Sequence, residues 1–204
     1  MNNTISPICV IYDMDGLLLD TERFYTMVTQ PIVERYGKNF DWTLKLKILG
    51  RRAIESAQII VDTLELPITA NEYLFQRNEI LPLKFSECQP LPGVENLTRH
   101  LSSKGIPQAV ATSSKRDMYE AKVSYHREWF SIFQTIVTGD DPEVSEGKPA
   151  LDIFLVAAKR LGGQPENCLA FEDAPSGTQA SYAAGMSVIA IPDSNMDKQL
   201  YPQA

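Results

Sequence analysis

The 204-residue sequence predicts an α/β fold: a doubly wound, Rossmann-like parallel sheet core with an inserted all-helical cap. Three observations predict it. The run Ile8-Cys9-Val10-Ile11-Tyr12 is short, β-rich and apolar at every position, as a central parallel strand covered on both faces must be. The stretch from about 22 to 84 then carries helical periodicity and no strand signal. After Pro90-Leu91-Pro92-Gly93, short apolar runs alternate with amphipathic segments, the pattern of βαβ units with right-handed crossovers.

Taken in order, the first strand ends at Asp13. Phe24, Val28, Ile32, Val33 and Tyr36 then share one helical face, and 53–64 and 71–83 read as further helices. A helix over 94–104 leads to a strand over 108–111. Strands over 135–138, 168–171 and 188–191 follow, with helices over 151–161 and 176–184 separating the later ones. The core is therefore expected at 1–20 and 89–204 and the helical cap at 21–88, with linkers near 20–22 and 86–92. No internal repeat or low-complexity segment interrupts this order.

Composition narrows the partners. At 44% hydrophobic residues the chain can bury one good core and a small second module. Its net charge is -7 with a pI near 4.9, and the 19 Lys and Arg residues are scattered. No basic stripe offers a site for a nucleic-acid polymer or a membrane surface, whereas a small phosphorylated metabolite needs only one or two local cations. No apolar run approaches the roughly 20 residues of a membrane helix, and Met1-Asn2-Asn3-Thr4 lacks the features of a secretory leader. A cytoplasmic monomer is the expectation. Cys9, Cys88 and Cys168 are odd in number and far apart without a CxxC, so reduced, buried thiols are expected rather than a disulfide framework or a zinc site.

Doubly wound sheets bind ligands beyond the carboxyl ends of their strands, and there the informative residues fall. Asp13-Met14-Asp15-Gly16 ends the first strand, Thr112-Ser113-Ser114 the second, Gly147-Lys148-Pro149 follows the third, and Glu172-Asp173 ends the fourth. Each motif alone has a bland explanation as a turn, a helix cap or a surface loop. Together, and in this order, they are the parts that phosphoryl transfer requires. A phosphate dianion repels a carboxylate, so an aspartate attacks phosphorus only where a divalent cation and a lysine offset the charge. Asp13, Asp173 and Glu172 supply oxygen ligands suited to Mg²⁺, and Lys148 a point cation. Thr112, with Met14, Gly16, Ser113 and Ser114, supplies phosphate contacts through its hydroxyl and the loop amides. Asp15 is placed to protonate the leaving group and then activate water, and crowding by the other carboxylates is expected to hold it protonated at first. Asp13, Asp15, Thr112 and Lys148 are the candidate catalytic residues.

With these motifs the chain resembles haloacid dehalogenase superfamily phosphatases, in the subgroup with a helical cap inserted after the first core strand. Asp13-Met14-Asp15-Gly16, Thr112, Lys148 and Phe171-Glu172-Asp173-Ala174-Pro175-Ser176-Gly177 match the family's four motifs. The resemblance implies that Asp13 is nucleophile and metal ligand, that Asp15 is acid/base with its backbone carbonyl on Mg²⁺, and that Asp173 is the other protein ligand, helped by Glu172. Met14 through Glu22, Ala57-Gln58-Ile59-Ile60-Val61-Asp62 and Gly139-Asp140-Asp141-Pro142-Glu143-Val144 extend the resemblance to a narrower group of animal pseudouridine-5′-phosphatases and plant glycerol-3-phosphatases. Pseudouridine 5′-phosphate is the leading substrate it implies, ahead of glycerol phosphate, flavin mononucleotide and sugar phosphates. Gly50-Arg51-Arg52 stands where the family places a specificity loop, which makes Arg51 and Arg52, with Glu22 past the first linker, the candidate substrate contacts.

Three positions depart from related patterns. Tyr25 stands four residues after Thr21, where β-phosphoglucomutases tend to have histidine, and this favours hydrolysis over a mutase reaction. Leu151 replaces a common second proline, with an effect expected only on the helix start. Relatives continue past the strand at 188–191 with a further helical segment while this sequence stops at Ala204, so the packing of that sheet edge is expected to differ. A non-catalytic homologue would typically have lost a motif aspartate or the lysine, and all are present. His100 and His126 match no motif and are expected at the surface, and Trp42 and Trp129 in packing.

Overall fold

A computed structural model describes residues 9–204. Ile8, the expected first residue of strand one, and the Met1–Thr4 segment lie outside the described residues. Five strands, β1 (Cys9–Tyr12), β2 (Gln108–Thr112), β3 (Thr135–Thr138), β4 (Cys168–Glu172) and β5 (Ser187–Ala190), form one parallel sheet in the order β3-β2-β1-β4-β5. This is the doubly wound arrangement. Strand order reverses about β1, which places Asp13 at the crevice where such sheets hold ligands.

The two faces of the sheet explain why the strand interiors are apolar. Cys9, Ile11, Ala109, Ala111, Val137 and Ala170 point one way, into a layer closed by Phe154, Ala157 and Ala158 of α8 (Asp152–Leu161) and Ala180 of α9 (Pro175–Ala183). Val10, Tyr12 and Val110 point the other way, against Trp129 and Phe130 of α7 (Arg127–Phe130) and Phe133 just beyond it, on the side that also carries α5 (Val94–Ser103) and α6 (Arg116–Lys122). The polar atoms this buries are paired, as they must be away from water. The Tyr12 hydroxyl donates to Gln108 Oε1 at 2.9 Å, Gln108 Nε2 to the Thr98 carbonyl at 3.0 Å, and Trp129 Nε1 to Thr98 Oγ1 at 2.8 Å.

Between β1 and β2 the chain is helical, with α1 (Glu22–Glu34), α2 (Trp42–Ile48), α3 (Ala53–Leu64) and α4 (Ala70–Lys84). Capping sets two of the starts: Asp41 Oδ1 accepts from Leu44 N at 2.8 Å, and Thr69 with Glu72 forms a reciprocal capping box,. Phe24, Val28, Ile32, Ile60, Tyr73 and Leu81 bury a cluster of their own, and Met118 and Ala121 of α6 pack against it. No helix among the described residues is long and apolar enough to cross a membrane.

The expected and observed elements differ in several places, among them β5, which runs over Ser187–Ala190 and not 188–191, and α2, which was not expected. Strands β2 and β4 run one residue further than expected, through Thr112 and Glu172, because the ladder continues to Thr112↔Thr138 and Glu172↔Ala190. Helices α6 and α7 were not expected, being too short to show a period. Cys9 and Cys168 are joined as a disulfide with Cα atoms 4.9 Å apart, against the expectation of reduced thiols. They are register partners on β1 and β4, a proximity that sequence spacing does not reveal. Cys88 is free and buried. At the β5 edge, Ile189 and Ile191 remain exposed, while the residues beyond fold back so that Met196 and Tyr201 pack on Leu49 and Ala174.

Candidate active site

Lys148 Nζ is the hub of the carboxyl end of the sheet. It donates to Asp13 Oδ1 at 2.5 Å, to Glu172 Oε1 at 2.6 Å and to the Ala111 carbonyl at 3.0 Å, and the side chain is fully buried. Burial disfavours its charge, but Asp13 and then Glu172 more than offset this, and the ammonium is held protonated well above its ordinary range,. Glu172 is anchored by its other oxygen, which accepts from the amides of Asp173 (3.1 Å) and Ala174 (3.2 Å). Asp13, Glu172 and Asp173 each present a carboxylate oxygen such that all three lie within 4.8 Å of one another. Burial pushes the Asp13 carboxyl up to about 7, with Lys148 opposing and Glu172 and Asp15 adding. Burial likewise raises Asp173 well above the ordinary carboxyl range, reinforced by Asp13 and Glu172. One lysine thus serves three buried acids, and the cluster is short of positive charge.

Asp15 lies in different surroundings from those expected. Its Oδ1 accepts from Thr21 Oγ1 and Lys122 Nζ, each at 2.5 Å, and its Oδ2 from Ser114 Oγ at 3.0 Å and Thr112 Oγ1 at 3.4 Å. Burial alone would raise this carboxyl. The Lys122 ammonium and the hydroxyl donors outweigh it and hold the group below its ordinary value. The expectation that neighbouring carboxylates keep Asp15 protonated is therefore corrected, because a lysine from α6 that no motif contains reaches it.

The loop residues divide by the state of their donors. The N–H groups of Met14 and Ser113 meet no acceptor among the described residues and remain open to an incoming oxygen, whereas the Gly16 N–H is spent on the Leu19 carbonyl at 3.0 Å. The Met14 side chain is fully buried, so only its backbone can meet a phosphate. Gly16 contributes conformation instead: its φ is +83°, and a Cβ there would collide with Asp173 Oδ2. Gly16→Ala is expected to cost about 1–2 kcal/mol in left-handed strain and, by displacing Asp173, to lower kcat/KM roughly 10²-fold. Steady-state kinetics with a thermal melt checks both effects.

Above Asp13 a cavity of about 380 Å³ runs into the helical segment, lined by Glu22, Tyr25, Arg51, Tyr73, Arg77 and Asn78 among others. Glu22 is half-buried and pairs with Lys45 Nζ at 3.4 Å. Arg51 lines the cavity, its Nε donating to the Lys47 carbonyl at 2.9 Å. Arg52 is committed elsewhere: its Nη1 donates to the Ser145 carbonyl at 3.0 Å and its Nη2 to the Val144 carbonyl at 2.9 Å. These bonds tie the 49–52 loop to the core, and Arg52 is not among the residues lining the cavity, although its buried Nε has no hydrogen-bond partner among the described residues. Ser113 Oγ on the Gly50 carbonyl and Ser176 Oγ on the Leu49 carbonyl, both at 2.8 Å, add two more ties.

The profile of the haloacid dehalogenase-like hydrolase family matches residues 10–191. The chain belongs to that family. It is 48% identical over 194 residues to (DL)-glycerol-3-phosphatase 1, mitochondrial, of Arabidopsis thaliana, covering 93% of this chain and 65% of that protein. It is 44% identical to a probable pseudouridine-5′-phosphatase of Drosophila melanogaster, covering 93% and 83% of the two chains. The crystal structure of β-phosphoglucomutase from Clostridium difficile matches with a TM-score of 0.80 at 24% identity, covering 92% of this chain and 85% of that one, a likeness of fold alone. Within the haloacid dehalogenase-like hydrolases this chain is a phosphatase.

The motifs of this phosphatase converge in space as their order along the chain suggests, whereas two cations of the site have no motif. Lys122 and Arg77 are both buried. Periodicity carried a signal for Arg77 in α4, whereas α6 is too short to have offered one for Lys122. A helix over 116–122 sets Lys122 on one face with Met118 and Tyr119, and α4 sets Arg77 on the buried face with Tyr73 and Leu81,. A cation on an apolar helix face needs an anion or a ligand.

Proposed function

We propose that this phosphatase hydrolyses the phosphate monoester of a small metabolite through an aspartyl phosphate on Asp13. The observation that carries the reading is the convergence of Asp13, Glu172 and Asp173 around a single lysine. The donor set fits Mg²⁺: it is all oxygen, buried and short of cations, with two carboxyls raised for want of them,. Asp13 and Asp173 would hold the ion with Glu172 beside them and the Asp15 carbonyl as a further ligand. Bound there, Mg²⁺ would supply charge compensation for a dianionic phosphoryl group.

The chain's own residues supply the rest. Lys148 orients Asp13 Oδ1 and leaves Oδ2 for attack on phosphorus. The open amides of Met14 and Ser113 receive phosphoryl oxygens. Asp15, held ionised between Lys122, Thr21 and Ser114, must take up a proton before it can deliver one to the leaving-group oxygen; returned to the carboxylate, it accepts a proton from the water that cleaves the acyl phosphate. Residues 21–88 act as the cap, and Glu22 and Arg51 face the leaving group across the cavity. Pseudouridine 5′-phosphate is the substrate we favour, supported by the resemblance of residues 57–62, with glycerol 3-phosphate next; Tyr25 disfavours a mutase reaction.

The test is a panel of phosphorylated metabolites ranked by kcat/KM with and without chelator. Pseudouridine 5′-phosphate is expected first and chelation to stop turnover; a panel headed by glycerol 3-phosphate would replace the substrate assignment. Mg²⁺ affinity is also expected to depend on pH. Below about 7 Asp13 carries a proton that the cation must displace, so the apparent affinity falls by up to roughly tenfold per pH unit. Calorimetric titration at several pH values measures this, and a flat profile would remove Asp13 from the ligand set.

A further inference from the structure

Arg77 is 5% exposed and lines the same cavity as Asp13. Other buried cations of the site have their anions: Lys148 stands between Asp13 and Glu172, and Lys122 on Asp15. Arg77 has no carboxylate within ion-pair distance among the described residues. Its Nε and Nη2 both donate to one acceptor, Asn78 Oδ1, at 3.2 and 3.1 Å. Its Nη1 has no hydrogen-bond partner among the described residues, and the guanidinium carbon lies 5.6 Å from the centre of the Tyr25 ring. A buried guanidinium that has one neutral acceptor and no carboxylate is under-compensated, so one kept in a cavity wall points to an acceptor that arrives with the ligand.

We propose that Arg77 is a specificity-determining residue, whose guanidinium takes acceptor oxygens on a planar group at the far end of the leaving group. This rests on the phosphomonoesterase reading of the Asp13 site and concerns only its substrate side. Three features select the chemistry. A guanidinium has N–H donors in a rigid plane and no acceptor, so it recognises carbonyl or carboxylate oxygens better than hydroxyls, which must also place their own protons. The Tyr25 and Tyr73 rings and the Asn71 and Asn78 amides share that part of the cavity, a set of flat surfaces and amide groups that matches a carbonyl-bearing ring. The volume of about 380 Å³ is that of a site for a ring-bearing ligand, larger than a three-carbon polyol fills.

The experiment compares kcat/KM of the full chain with Mg²⁺ on pseudouridine 5′-phosphate, glycerol 3-phosphate and phenyl phosphate, which has a ring but no distal acceptor. Arg77→Met keeps the stem and removes the donors. The ratio of kcat/KM for pseudouridine 5′-phosphate to that for phenyl phosphate is expected to fall roughly 10- to 100-fold, chiefly through KM, with the glycerol 3-phosphate ratio moving much less. Arg77→Lys restores charge without the fork and is expected to recover only part of the ratio; it also serves should the Met variant fold poorly. Equal losses on all three esters would make Arg77 structural. An unchanged ratio, or a larger fall for glycerol 3-phosphate, would overturn the proposal, as would a wild-type enzyme that cleaves the other two esters but not the pseudouridine one. Failure of the underlying reading looks different: an Asp13→Asn protein would then still cleave all three.

Discussion

Asp13→Asn is expected to lower turnover on the order of 10⁴-fold or more, with a melting temperature close to that of the wild type. The amide is nearly isosteric with the carboxylate, and its oxygen can still accept from Lys148, so the ion-pair hub loses one charge without losing its shape. Glu172 remains within 2.6 Å of the lysine and keeps that cation compensated. What the amide cannot do is attack phosphorus, since its oxygen carries no full negative charge. Quench-flow with a ³²P-labelled ester separates this from a binding defect: the wild type accumulates acid-stable, base-labile label and the variant none. Residual activity above a trace would refute attack by Asp13.

Lys148→Ala is expected to damage both stability and catalysis. Removing one partner of a buried ion pair leaves the other without compensation, at about 3–5 kcal/mol, and here two carboxylates share the lysine. For a chain of this size that corresponds to a melting temperature lower by about 6–20 °C. The deficit has a definite pH dependence. The Asp13 carboxyl already titrates near 7, above its unfolded value, and without Lys148 it rises further. A group with a raised folded pKa binds more protons folded than unfolded, so the fold gains stability as pH falls through that pKa. The gap between variant and wild type therefore narrows from alkaline to mildly acidic pH, and melts across that range measure it. Mg²⁺ is expected to stabilise the variant more than the wild type, because it supplies the missing charge. A kcat/KM reduced by roughly 10²–10³-fold completes the expectation; an unchanged value would show that another cation does the work of Lys148.

The core of the site was legible because its logic is local. A strand that must be apolar on both faces announces itself by composition, and the first polar residue after it lies at the carboxyl edge. Asp13, Thr112 and Glu172-Asp173 all follow that rule, and the parallel order β3-β2-β1-β4-β5 then brings those edges together. The helices near 24–36, 53–64 and 71–83 were legible from their periodicity, whereas α2 and the caps at Asp41 and Thr69 emerged only with the structure.

What stayed hidden depends on neighbours that the chain order does not encode. The Cys9–Cys168 disulfide follows from strand register, and the commitment of Arg52 to the Val144 and Ser145 carbonyls follows from how the 49–52 loop meets the core. The state of Asp15 is the clearest case. From its own motif it looked crowded by acids, yet Lys122, 107 residues away in sequence, lowers its pKa.

By itself, then, the sequence determined the sheet, its helical insertion, the family and the acidic cluster with Lys148, because each is written in periodicity or in residues that end strands. Only the tertiary structure decided which cations reach which carboxylates and which arginine faces the cavity. Electrostatics acts over a few ångströms in space, and the helices that deliver Lys122 and Arg77 are brought beside Asp15 and Tyr25 by packing, not by their place along the chain.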